Sequence, residues 1–215
     1  MSLVLHCHPL SSFCQKVLIA LYENGTPFEA KVLNFTDAAA AAEYRKLWPV
    51  GKIPLLQDTA RGQTIPETSI IIEYLDRYYP GPTRLIPAAP DAAREVRLRD
   101  RIFDLYVNVP MQKVVTDRLR PAEKHDAFGV EEARGKLATA CAMLDRDLKG
   151  RTWAAGESFS LADCAAAPPL FFVNLLQPFG DRYPTLSAYV ARLRARPSIA
   201  RALKEAEPFL AMMPK

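Results

Sequence analysis

Four prolines, Pro80, Pro82, Pro87 and Pro90, crowd into about ten residues of the chain. Each locks φ and removes a backbone donor, so the cluster reads as a stiff linker that no helix or strand runs through. On either side of it the hydrophobic pattern has a different period. Short strands alternate with helices before residue 80, and helical period alone continues after residue 90.

In the first segment "SLVLHCH" reads as a strand. "CQKVLIALYENG" puts Cys14, Val17, Leu18 and Leu21 on one helical face, with Gly25 as its stop. "FEAKVLN" alternates Phe28, Ala30 and Val32 with Glu29 and Lys31, which predicts a half-buried strand. "DAAAAAEYRKLW" predicts a helix capped by Asp37 and ended by Pro49. "IPLLQD" and "QTI" make a hairpin, and "ETSIIIEYLDRYY" is an amphipathic helix. The order β-α-β-α-β-β-α is that of a thioredoxin-like domain, expected over residues 1–80, with the linker at 81–90 and an all-α domain over 91–215.

That second domain begins with two long helices, "DAAREVRLRDRIFDLYVNV" and "VEEARGKLATACAMLDRDLKG". A third, "SLADCAAAPPLFFVNLL", carries Pro168 and Pro169 and is expected to bend there. Pro184 and Pro197 precede two more helices, at first-turn positions. Ser160-x-x-Asp163 after Phe159 is a capping box with a hydrophobic staple, so its role is to start a helix.

At 215 residues and 49% hydrophobic, the chain can bury a real core. Its net charge of +4, from 28 basic and 24 acidic residues, gives no case for nucleic acid, and the alternating Arg97, Arg99 and Arg101 read as a solvated helix face. The N-terminus has no basic leader, and "CAAAPPLFFVNLL" is too short and too proline-broken to span a membrane. Cys7, Cys14, Cys141 and Cys164 show no paired spacing, which suits free thiols in a reducing cytoplasm. "HCH" turns His6 and His8 to one side of a strand and Cys7 to the other, which suits no common metal site.

Four motifs in order, "LSSFCQKV", "WPVGKIPLL", "ETSIIIEYL" and "ESFSLADCAAAP", make the chain resemble the glutathione transferase family along essentially its whole length. The resemblance implies glutathione as co-substrate, no metal, and a thiolate held by a hydroxyl at the mouth of the first helix. A free thiol has a pKa of about 8.5, and lowering it by about two units takes roughly 2.7 kcal/mol. A helix N-terminus supplies about 0.3–2 kcal/mol and one hydroxyl donor to an anion about 1.5–3 kcal/mol, so a serine there suffices.

Three side chains compete for that role. Ser12 with Gln15 reads as a capping box, Cys14 shares the apolar face, and Ser11 is left outside both explanations. Ser11 also falls on the family's catalytic position, counting back from "KV".

At Lys52-Ile53-Pro54 sequence alone favours a trans bond, whereas the resemblance implies a cis proline. It further implies that the Ile53 backbone pairs with glutathione like an added strand while Lys52 reaches the glycine carboxylate. By the same resemblance Glu67 meets the γ-glutamyl ammonium and Thr68 its carboxylate, where most relatives carry serine.

The expected reaction is attack of the thiolate on a small apolar electrophile, in a cytoplasmic, homodimeric detoxification enzyme. Tyr106, Val107, Pro110, Met111, Phe209 and Met212 are the candidates to line its pocket. "SSFC" also resembles the "SSCS"-type loop of zeta-class maleylacetoacetate isomerases, with the cysteine one position later, so a glutathione-dependent isomerase stays open. A lyase or dehalogenase, and a non-catalytic ligand- or protein-binding member of the fold, are the remaining alternatives.

Overall fold

The computed structural model describes residues 2–34 and 36–212, apart from the side chain of Met212. Strands β1 (Leu3–Cys7), β2 (Glu29–Val32), β3 (Leu55–Asp58) and β4 (Gln63–Pro66) form one mixed sheet in the order β2-β1-β3-β4. β1 and β2 run parallel; β1–β3 and β3–β4 are antiparallel, aligning Leu5 with Leu56 and Leu56 with Ile65. All five residues of β1 are buried, as suits a central strand. β2 corrects the expectation of a half-buried strand: all four of its residues are exposed. It is a short edge strand, and the partly buried Phe28 just before it makes the core contact instead.

α1 (Ser12–Glu23) seats Cys14, Val17, Leu18 and Leu21 in the core. It ends as the sequence predicts. Gly25 takes φ +60°, and Thr26 and Gly25 donate to the carbonyls of Leu21 and Tyr22, satisfying the last turn. α2 (Ala38–Leu47) is capped by Asp37, which accepts from the Ala39 and Ala40 amides. α3 (Thr68–Tyr78) follows the hairpin.

The prolines between α3 and the next helix carry no regular element, but the stretch is not a free tether. Leu85 and Ile86 are buried, the Leu85 amide donates to Asp76, and its carbonyl accepts from Leu161. Pro90 is already the first residue of α4 (Pro90–Ile102).

α4 runs through a π turn at Phe103–Asn108 into α5 (Val109–Asp117), so residues 90–117 form one helical rod. Pro110 accounts for the wide turn. Its ring would clash with the preceding turn of an α-helix and it has no amide to donate, and an extra residue per turn relieves both.

α6 (Ala127–Asp147), α7 (Leu161–Leu176), α8 (Pro184–Ala195), α9 (Pro197–Ala206) and a 3-10 segment (Glu207–Met212) complete the chain. α7 is buried almost all round and continues through Pro168 and Pro169. Its capping box is present: Asp163 accepts from the Ser160 amide and hydroxyl, and also from the Ala154 amide and the Tyr189 hydroxyl. Among the described residues no helix is long and apolar enough to cross a membrane.

The two halves are clamped at Glu23, at the end of α1. Its carboxylate takes two hydrogen bonds from Arg196 (2.8 and 2.5 Å) and one each from Ser198 and Thr83. Those donors hold its pKa below the carboxylate norm even though burial alone would raise it.

The alternating arginines do not form one solvated face, because residues two apart on a helix lie nearly opposite each other. Arg97 pairs with Glu73 of α3, buried Arg99 with Glu95 and Asp147, and Arg101 with Asp100 and Asp104.

Candidate active site

The loop before β3 and the start of α3 enclose, with α1 and the 90–117 rod, a cleft of about 200 Å³. Lys52, Ile53, Pro54, Glu67 and Thr68 all line it. The Ile53–Pro54 bond is cis. The Tyr44 hydroxyl donates to the Lys52 carbonyl at 2.6 Å and pins the loop, while the Ile53 N–H and C=O take no partner among the described residues. An unpaired peptide group at a cleft edge can receive an extended peptide.

Glu67 caps α3 with φ +67°, a left-handed conformation that costs a side-chain-bearing residue about 1–3 kcal/mol. Its side chain makes no capping bond, so that carboxylate is free for another partner, and Thr68 opens the helix beside it. Helix amides at such a mouth favour an anion.

Ser11 lies at the mouth of α1, two residues before Phe13, which lines the cleft; Ser11 itself is not a lining residue. Here the capping expectation is overturned. Ser11 is the N-cap, its Oγ accepting from the Cys14 amide at 3.3 Å. Ser12 is the first helical residue, buried, donating to Asn108 Oδ1 at 2.7 Å and accepting from Gln112 at 3.2 Å. Gln15 reaches back to the Pro9 carbonyl rather than closing a capping box.

Capping uses a lone pair of the half-buried Ser11, so its hydroxyl proton stays available to a sulfur, either that of a ligand or that of Cys14 beside it. Cys14 is fully buried, and burial, partly offset by the Ser11 hydrogen bond, pushes its pKa up to about 12. A thiol so disposed is not a nucleophile at neutral pH.

The expected electrophile-lining residues do not gather at this cleft. Val107 and Met111 are core. Leu105 and Val109 reach the cleft instead, on the same helical stripe as Arg101 and Asp104, while Val107, two residues from Leu105, faces the opposite side. Tyr106 and Pro110 line a separate groove of about 950 Å³ between the rod and α6, continuous with the cleft through Leu105 and Val109. Phe209 lies against His8, and the Met212 side chain falls outside the described residues.

Sequence reasoning missed six lining residues: Phe13, Trp48, Arg101, Asp104, Leu105 and Val109. The last four come from a helix facing the cleft across the domain boundary, which local pattern does not report.

Behind the cleft lies a buried charge network. Lys16 Nζ sits 2.5 Å from Asp100, 2.7 Å from Asp104 and 3.0 Å from Ser69 Oγ. Arg101 bonds Asp104 at 2.5 Å and Ser69 at 2.5 Å, and Ser69 donates to Asp100. Burial raises the Asp104 pKa, Lys16 lowers it and Asp100 raises it, the net being upward. A lysine inside an apolar run was the one sequence signal of this network. It ties α1, the start of α3 and the rod into a rigid wall.

Comparison with known proteins fits this geometry. The glutathione S-transferase N-terminal domain family matches residues 5–83, and the glutathione S-transferase C-terminal domain family matches residues 107–197. A glutathione S-transferase of Pseudomonas putida is 28% identical over 95% of this chain and 93% of its own length. A probable maleylacetoacetate isomerase of Vibrio cholerae is 30% identical over 97% of this chain and 98% of its own. A glutathione S-transferase structure from Methylobacillus flagellatus with glutathione bound superposes with a TM-score of 0.83 at 28% identity, covering 94% of this chain and 98% of that one.

Proposed function

This chain belongs to the glutathione S-transferase family, and we propose that it is a glutathione transferase whose Ser11 holds the tripeptide's sulfur as thiolate. Glutathione is the co-substrate. The Ile53 backbone pairs with its cysteinyl backbone as an added strand, beside Pro54. Glu67 receives the γ-glutamyl ammonium, and the Thr68 hydroxyl and amide receive the neighbouring carboxylate. Lys52 reaches the glycine carboxylate. The Ser11 proton then points at the sulfur, and with the head of α1 it contributes the roughly 2.7 kcal/mol that a two-unit fall in thiol pKa requires.

The thiolate attacks a small apolar electrophile held against Phe13, Leu105 and Val109. Its electron pair forms the C–S bond and the leaving group departs with the bonding pair. Residues 1–80 act as the glutathione half, 81–90 as the link and 91–215 as the electrophile half. The observation that carries this reading is the convergence of Lys52, Ile53, Pro54, Glu67 and Thr68 on one cleft.

A homodimer in the cytoplasm, serving detoxification, completes the proposal. The exposed Ile70, Tyr78, Leu98 and Tyr106 supply apolar surface for self-association, and four buried free cysteines suit a reducing compartment. Light scattering checks the dimer.

A second reading, a glutathione-dependent isomerase, is favoured by the 30% identical isomerase relative, and turnover of maleylacetoacetate without net consumption of glutathione is its signature.

The decisive experiment is retention on immobilised glutathione together with the ultraviolet absorbance of bound thiolate. Ser11→Ala is expected to lose the thiolate signal and Cys14→Ala to keep it; the opposite pattern overturns the assignment. If wild type binds no glutathione, a non-catalytic role takes its place.

A further inference from the structure

His8 has no part in the reaction just described, yet it is held beside Ser11. The two are the first and fourth residues of the turn His8-Pro9-Leu10-Ser11, closed by the Ser11 amide donating to the His8 carbonyl at 3.0 Å. That closure keeps their Cα atoms within about 7 Å, and Pro9 at the second position presets the turn.

The ring is oriented as well. Its Nδ1 accepts from the Leu10 amide at 3.2 Å, and the His8 amide is anchored on Cys14 Sγ at 3.4 Å. A ring nitrogen that accepts carries no proton, so the neutral imidazole bears its hydrogen on Nε2. Burial holds the pKa of His8 below its ordinary 6.5, so the ring is neutral near pH 7. The Nε2–H has no protein partner among the described residues. Phe209, from the C-terminal 3-10 segment, packs against the ring in a T-shaped arrangement at 5.1 Å between centroids, an apolar neighbour for His8.

We propose that His8 is a specificity-determining residue for the electrophile, its Nε2–H donating a hydrogen bond to a substrate oxygen on which negative charge develops during thiolate attack. The substrate class this selects is α,β-unsaturated carbonyl compounds. The sulfur lone pair forms the C–S bond at the β-carbon, the C=C pair shifts toward the carbonyl, and the carbonyl π pair moves onto oxygen. The Nε2–H holds that enolate oxygen without giving up its proton, and water then protonates the α-carbon. A preorganised donor aimed at developing charge in a partly dry site acts mainly on the transition state. An alkyl halide, whose charge leaves on the halide, has no such oxygen. The inference rests on the transferase reading, since Ser11 must first hold the thiolate.

The test compares wild type, His8→Phe and His8→Gln, with glutathione and two electrophiles: 4-phenyl-3-buten-2-one and benzyl chloride. His8→Phe is expected to lower the ratio of enone to chloride kcat/KM by about 10²-fold, the scale of one lost oxyanion donor. KM for glutathione is expected to stay within about twofold. His8→Gln, whose carboxamide still donates, is expected to recover at least about tenfold of the lost ratio. An unchanged ratio in His8→Phe, or a wild type that consumes the chloride but not the enone, overturns the inference and leaves the transferase reading standing. A wild type that neither binds glutathione nor consumes either electrophile overturns the transferase reading and this one with it.

Discussion

Replacing Lys16 by methionine keeps the aliphatic stem but removes the ammonium between Asp100 and Asp104. The side chains of Lys16, Asp100 and Asp104 are only 1%, 2% and 5% exposed, so water cannot take over the lost interaction. Arg101 remains on the two carboxylates, but its side chain is 47% exposed and solvent weakens its pull. Removing one partner of a buried ion pair costs about 3–5 kcal/mol, mostly for the charge left behind. At about 2–4 °C per kcal/mol for a chain of this length, the melting temperature should fall by roughly 6–20 °C.

Differential scanning calorimetry reads this directly, and two controls identify the cause. Adding Asp104→Asn to Lys16→Met should recover part of the loss, because one of the two charges is gone. The deficit should also shrink in acid. Asp104 already has a raised pKa in the folded protein, from burial first, and losing Lys16 raises it further. The folded state then binds protons more readily than the unfolded one, so stability rises as pH falls toward the ordinary carboxylate range near about 4. A shift under about 2 °C, or a deficit indifferent to pH and to Asp104→Asn, would refute the claim that this network is a buried, mutually compensated cluster. Since Arg101 and Asp104 line the cleft, the same variant should raise KM for glutathione.

Ser12→Ala leaves Asn108 and Gln112 short of a buried partner and should cost about 1–3 kcal/mol by urea unfolding; an effect on turnover with stability intact would contradict its structural assignment. Asp163→Ala strips four donors of one fully buried acceptor and should cost at least about 3 kcal/mol, without changing KM for glutathione in whatever fraction remains folded. The thiols should resist native labelling. Burial first, with Glu205 second, raises Cys7 from 9.0 to about 11; burial takes Cys14 to about 12 and Cys141 to about 11, and rapid reaction of any of them with a disulfide reagent at pH 8 would contradict the structure. The folded chain keeps thiol protons that the unfolded chain releases, so these groups should also make stability decline as pH rises through about 9 to 11, measurable as a falling urea midpoint.

What local chemistry governs was legible without coordinates. Asp37 and the Ser160–Asp163 pair start helices because a cap needs only the next three amides, and Gly25 stops one because only its own φ matters. The prolines and the change of hydrophobic period divided the chain for the same reason. The convergence of Lys52, Ile53, Glu67 and Thr68 was anticipated from family resemblance, not from their spacing.

Where two local roles were equally available, tertiary partners chose between them. Ser11 and Ser12 can each cap α1, but Asn108, 96 residues from Ser12, draws that hydroxyl into the domain boundary and leaves the cap to Ser11. Ser11 is therefore not left over from capping, but the proton of a capping hydroxyl still keeps it available to a sulfur. Lys16 is inside because two aspartates of the rod meet it there, and Leu105 rather than Val107 faces the cleft because the rod packs with its Val107 side in the core. Caps and periods act within a few residues and so are written in the chain. Burial of a charge and the facing of a helix depend on partners about a hundred residues away, and only the folded arrangement brings those into contact.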